Sequence, residues 1–147
     1  MEIINRKAYH DYFIVDEYEA GIELLGSEVK SVRLGKMNLK DSFIKIKNGE
    51  AFLINTHISQ YEMSSNFDKY EPTRSRKLLL HKREIYKLDG KSREKGMSII
   101  PLSAYFNKKN LLKIKIALVK GKHTFDKKNV LKERDIKRQM EKEIKRM

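Results

Sequence analysis

Phe43-Ile44-Lys45-Ile46-Lys47-Asn48-Gly49-Glu50-Ala51-Phe52-Leu53-Ile54 is the stretch from which the architecture can be worked out. Asn-Gly supplies two residues that tolerate positive φ, as a type I′ turn requires, and that turn matches the twist of paired strands. A two-residue loop then sets Lys47 opposite Glu50, Ile46 opposite Ala51 and Ile44 opposite Leu53. Opposite charges meet, and the apolar side chains share one face. The segment predicts an antiparallel hairpin with one side against a core.

Working outward, Tyr12-Phe13-Ile14-Val15 and Gly21-Ile22-Glu23-Leu24-Leu25 read as two short strands around a polar link. Met97-Ser98-Ile99-Ile100-Pro101-Leu102 opens another, with Pro101 marking an edge or an irregularity. Leu112-Lys113-Ile114-Lys115-Ile116-Ala117-Leu118 alternates, which gives one apolar face and one largely basic face. Two short helices interrupt the strands. Ser27 is placed to cap one over residues 28–34, stopped by Gly35. The second covers about residues 81–88, with Ile85 and Leu88 on one side before Gly90.

Many short strands without a strand–helix–strand rhythm predict a mainly β fold. The expected form is a small antiparallel OB-like β-barrel with short flanking helices over residues 1–121, followed by a basic C-terminal tail over residues 122–147. Strand order is left open.

That tail differs in character. Between residues 120 and 147 there are eleven Lys and Arg against five Asp and Glu. As a helix it aligns Ile136, Met140, Ile144 and Met147 in one narrow stripe. An isolated helix of this length is marginal in water, so the tail is expected to be disordered when free and helical on its partner.

The 147 residues carry 33 Lys and Arg against 20 Asp and Glu, a formal net charge of +13. A polyanion is the partner this implies, and nucleic acid is the first class to weigh. A membrane surface ranks below it, because the tail stripe is narrow and has no Trp. No apolar run approaches the roughly 20 residues of a membrane span. The first residues lack the basic and apolar regions of a secretory signal, and the reading is a cytoplasmic protein.

Enzyme chemistry finds little to stand on. Cysteine is absent, which excludes disulfides and thiolate metal sites. His10, His57, His81 and His123 are scattered without a metal-binding spacing, and neither a nucleophile elbow nor a phosphate loop is present. Neither catalytic residues nor a cofactor are expected. A metal-independent ribonuclease using His10 or His81 is the surviving catalytic alternative. Binding features are richer: Arg74-Ser75-Arg76-Lys77 precedes the apolar Leu78-Leu79-Leu80, and His81-Lys82-Arg83 follows. Arginine forks suit phosphate, and tyrosines interleaved with charge can stack on unpaired bases. The bland alternative, a solvated basic surface, stays open.

Several blocks then resemble a known family. Asn5-Arg6-Lys7-Ala8-Tyr9-His10-Asp11-Tyr12-Phe13-Ile14 and Tyr18-Glu19-Ala20-Gly21-Ile22-Glu23-Leu24 look like the opening signature of small protein B, the SsrA-binding proteins. Glu28-Val29-Lys30-Ser31 with Arg33 and Gly35 is similar to the family's next block. So are Asp41-Ser42-Phe43, Gly49-Glu50-Ala51-Phe52-Leu53 and Pro72-Thr73-Arg74-Ser75-Arg76-Lys77-Leu78-Leu79-Leu80-His81-Lys82. Gly121-Lys122 followed by Asp126-Lys127-Lys128 resembles its entry to the tail. Together the blocks run along nearly the whole chain in order.

The resemblance implies an OB-like barrel with a basic tail and a role in bacterial trans-translation. It implies binding to the tRNA-like domain of transfer-messenger RNA (SsrA) and delivery, with elongation factor Tu, to ribosomes stalled on messages without a stop codon. The tail would sense an empty mRNA channel beside the small-subunit decoding centre. Carried over by position, Asn5, Arg6, Glu19 and Leu79 are expected at the RNA, with Arg74, Arg76 and Lys77 on phosphates. Glu19 has a second reading, fixing a loop through backbone N–H groups, and Leu79 a second reading as core. In the tail the resemblance marks Phe125, Asp126, Lys127, Lys128, Lys132 and Arg134, with Ile136, Met140 and Ile144 matching by character. Phe125 stands where relatives often carry His or Tyr, and it lacks their hydrogen-bond donor. The runner-up is a general OB-type translation factor or ribosomal protein that binds rRNA.

Overall fold

The computed structural model describes residues 2–62 and 69–122. The hairpin forms as its turn dictates. β4 (Phe43–Lys47) and β5 (Glu50–Ile54) pair with Lys47 opposite Glu50, Ile46 opposite Ala51 and Ile44 opposite Leu53. Asn48 and Gly49 take φ of 53° and 74° between them, the left-handed pair of a type I′ turn. Ile44, Ala51 and Leu53 are buried, so the register points the apolar set inward.

The remaining strands are β1 (Glu2–Ile4), β2 (Tyr12–Ile22), β3 (Met37–Asn38), β6 (His57–Ile58), β7 (Arg76–Leu79), β8 (Met97–Phe106) and β9 (Leu112–Gly121). Seven of the nine strands among the described residues form one antiparallel sheet in the order β1-β8-β9-β2-β7-β5-β4, while β3 and β6 pair separately. β4, at one end of that order, folds back against β8, so the curled sheet wraps its own core. The mainly β architecture expected from the sequence is what forms. Leu39, Leu53, Ile58, Leu78, Ile114, Ile116 and Leu118 fill the interior almost without exposure.

The helices are α1 (Arg6–Asp11), α2 (Gly26–Arg33) and α3 (Lys82–Ser92). α1 was not foreseen. It covers the outer face of β8 and β9, where Ala8 packs with Ile100, Leu102, Ala117 and Val119. This second cluster explains why the alternation of β9 breaks down at its end. Ala117, Leu118 and Val119 are all buried because that part of the strand has a core on each side.

Several boundaries differ from expectation. β2 is one strand of 11 residues, not two. Its polar middle is held by pairing with β9, and the register slips between Ile14 and Asp16 to accommodate the change. Ser27 lies inside α2 and is buried; the cap position is Leu25, whose N–H donates to the Glu28 carboxylate at 2.9 Å. α3 starts after His81 and runs through Gly90 to Ser92. Pro101 marks a register shift between β8 and β9, and β8 is an interior strand, not an edge. Gly35 does end α2 with φ of 76°.

Candidate nucleic-acid interface

β7 sets out the site by parity. Arg76 and Leu78 point inward and are buried, while Lys77 and Leu79 point outward. Leu79, 49% exposed, pairs across the sheet with Gly21 of β2. A Cβ at position 21 would meet the Leu79 Cβ at 3.3 Å, so glycine there lets the two strands close up beneath an exposed leucine. Lys77 reaches Glu50 at 3.5 Å, an exposed pair whose lysine is free to exchange partners.

These residues line a groove of about 590 Å³ bounded by β2, the β4–β5 turn, β7 and the start of α3. Glu19, Lys77, Leu79, His81, Lys82 and Lys113 face it. Glu19 is exposed on β2 and accepts a hydrogen bond from the Tyr105 hydroxyl. Burial, followed by donation to Glu19, pushes the Tyr105 phenol up to about 12, so the hydroxyl stays protonated and keeps donating. The Glu19 carboxylate is oriented by a side chain, the Tyr105 hydroxyl, across the sheet. The groove therefore offers cations, one oriented carboxylate and an apolar ridge, a set that can meet phosphate, a 2′-hydroxyl or base edge, and a sugar or base face.

Other residues expected at the RNA lie outside the groove, and two of them are buried. Arg76 is fully buried: Nε donates to Glu28 at 2.6 Å, Nη1 to the Thr56 carbonyl at 2.6 Å and Nη2 to the Pro72 carbonyl at 2.9 Å. These partners hold its guanidinium inside the core. Arg74 is 32% exposed at its side chain and donates to both oxygens of the same carboxylate. Burial opposes ionisation of Glu28, but donation from Arg74, the Leu25 N–H and Arg76 outweighs it and holds the carboxyl below its ordinary value of 4.5. Glu28 thereby ties α2 to β7.

Asn5 is also buried. Its side-chain amide donates to the Pro101 carbonyl at 2.9 Å and the Leu39 carbonyl at 3.3 Å, and its oxygen caps α1 at the Ala8 N–H. In this fold it seats α1. Arg6 is exposed on α1 and does not line the groove. Sequence reasoning missed Lys113 as a groove residue, although the basic alternation of β9 was a signal for it; Tyr105, one of the tyrosines interleaved with charge, orients Glu19. The tail residues Phe125, Asp126, Lys127, Lys128, Lys132, Arg134, Ile136, Met140 and Ile144 lie outside the described residues.

Histidine chemistry gains no convergence here. His10 Nδ1 lies 2.9 Å from Asp11 with its side chain 83% exposed, and it is not among the groove residues that include His81. Among the described residues no group of three or more His, Asp or Glu could hold a metal ion. Among them too, no helix is long and apolar enough to cross a membrane.

Comparison with known proteins adds an independent line. Residues 2–146 match the family model described as SmpB protein. The SsrA-binding protein of Carboxydothermus hydrogenoformans is 56% identical over 140 residues, spanning 95% of this chain and 93% of its own. That of Shouchella clausii is 55% identical over 141 residues, spanning 96% and 89%. A solved structure described as "tmRNA-SmpB: a journey to the center of the bacterial ribosome" superposes with a TM-score of 0.70 at 45% identity, covering 82% of this chain and 84% of that one.

Proposed function

This chain belongs to the SmpB family, matched along residues 2–146, and on that premise we propose that it is the RNA-binding adaptor of trans-translation. It binds transfer-messenger RNA through the tRNA-like domain and acts on the bacterial ribosome, the two partners to which its solved relative's description points. The observation that carries the reading is the groove beside β7, where Lys77, Leu79, Lys113 and the Tyr105-oriented Glu19 converge on a chain of net charge +13.

In this reading Lys77 and Lys113 meet phosphates, Glu19 accepts from a base edge or 2′-hydroxyl, and Leu79 packs against a sugar or base face. Arg6, exposed on α1, and the exposed part of Arg74 add phosphate contacts outside the groove. The protein works by binding without turnover, in the cytoplasm, and elongation factor Tu joins it in the delivery complex. Residues 122–147 serve the second partner: Phe125, Asp126, Lys127, Lys128, Lys132 and Arg134 approach the decoding centre, and Ile136, Met140 and Ile144 lie along the empty mRNA channel.

The division of labour is tested by truncation after Lys122. The shortened protein is expected to keep its affinity for the tRNA-like domain within about twofold while tagging of peptides on stalled ribosomes is lost. Loss of RNA affinity on truncation would contradict it.

A further inference from the structure

A second groove adjoins the first across the Leu79 ridge. It holds about 250 Å³ and shares Gly21, Leu79 and Lys113 with its neighbour. Its walls come from Ile22, Leu24, Val29, Phe106 and Leu111, set between α2 and the β8–β9 turn. The composition differs from the first groove in one respect that matters. Glu19, Glu50 and Glu84 line the first, whereas none of the described residues lining the second is acidic.

The second groove is also braced. The Arg33 guanidinium lies 4.5 Å from the centroid of the Phe106 ring and donates to Asn110 Oδ1 at 3.0 Å. One side chain of α2 therefore fixes both the aromatic wall and the turn that carries Leu111. Asn110 holds a φ of 62°, and the turn is closed by the Asn107 N–H to the Leu111 carbonyl at 2.9 Å. Leu111 is left 55% exposed at the rim, and Lys108 and Lys109 are exposed on the same turn. A largely apolar trough thus has Lys113 in its lining and two exposed lysines on the turn that carries Leu111, and it continues from a groove suited to an RNA backbone.

We propose that this second groove is a nucleobase subsite that takes one unpaired base of the RNA held in the first groove, packing it against Leu111, Val29 and the Phe106 wall while Lys113 and the Lys108–Lys109 turn meet its flanking phosphates. Continuity across Leu79 and a lining whose one charged residue is Lys113 select a nucleotide over a basic peptide, and the apolar walls select its base over a bare phosphate. The proposal rests on the RNA-binding reading above and adds to it a pocket for a base that stands out of the helical stack.

The test uses the full chain and the tRNA-like domain of transfer-messenger RNA, with wild type compared to Leu111→Ala and Val29→Trp. Leu111 is exposed, so its truncation leaves the melting temperature unchanged; Val29→Trp fills the trough from α2. Both are expected to weaken binding about tenfold, the scale of one stacked base. Chemical probing is expected to show one loop nucleotide protected by wild type and exposed in both variants. Binding within twofold of wild type with an unchanged protection pattern overturns the subsite and leaves the first groove intact. Failure of wild type to prefer this RNA overturns the RNA-binding reading and the subsite with it.

Discussion

Arg76 and Lys77 are adjacent in the chain and lie on opposite faces of β7, and their fates differ accordingly. Arg76 is enclosed with Glu28 and two carbonyls, so removing one partner leaves a buried charge uncompensated. Arg76→Met and Glu28→Gln are each expected to lower unfolding free energy by about 3–5 kcal/mol, read from chemical denaturation. Lys77→Ala, on the exposed face, is expected to leave stability within about 0.5 kcal/mol and to shallow the salt dependence of RNA binding by nearly one unit of slope. The pH dependence follows from the same cluster. Because the Glu28 carboxyl is depressed from 4.5 in the folded state, its contribution is present above that value and is lost as pH falls through the folded one. Wild type is therefore expected to lose stability on acidification below about pH 4.5, and Glu28→Gln to lose less over the same range. None of this was legible locally. Arg74-Ser75-Arg76-Lys77 looks like a phosphate-binding run, and the carboxylate that claims two of its arginines lies 48 residues from Arg76. Strand parity was the available clue, since Leu78 inside places Arg76 inside.

At the scale of elements, turns whose chemistry is local were readable and caps whose chemistry is distributed were not. Asn48-Gly49 dictated both turn and register, and the pairing followed residue by residue. Gly49→Ala is expected to lower stability by about 1 kcal/mol, because alanine must enter the left-handed region at φ of 74° although nothing crowds its Cβ. Ser27 resembled an N-cap, yet the capping carboxylate belongs to Glu28, which reaches back to the Leu25 N–H. Gly90 resembled a stop, yet α3 passes through it, and the left-handed glycine comes later at Gly96. α1 escaped notice because six residues carry too little period to register; its existence depends on the Asn5 cap and on the outer face of β8 and β9.

At the scale of the whole molecule, the fold supplies a barrel whose outer surface carries the groove, and its last described strand, β9, ends at Gly121. Barrel class and a polyanionic partner were readable because alternation and net charge survive without knowledge of strand order. The groove was not, because Glu19, Lys77 and Lys113 come from three strands that only the order β9-β2-β7 brings together. Leu79→Ala is expected to weaken binding of the tRNA-like domain about tenfold with little change in stability, since the side chain is half exposed. The measurement that bears most directly on the adaptor role is a salt titration of binding to the tRNA-like domain with an elongator tRNA as competitor. The prediction is a log–log slope of about −3.5 or steeper, as for roughly five phosphate contacts on a single strand. Preference for the tRNA-like domain should persist at raised salt. Equal affinity for both RNAs, collapsing together as salt rises, would contradict shape-specific recognition and with it the assignment of the groove.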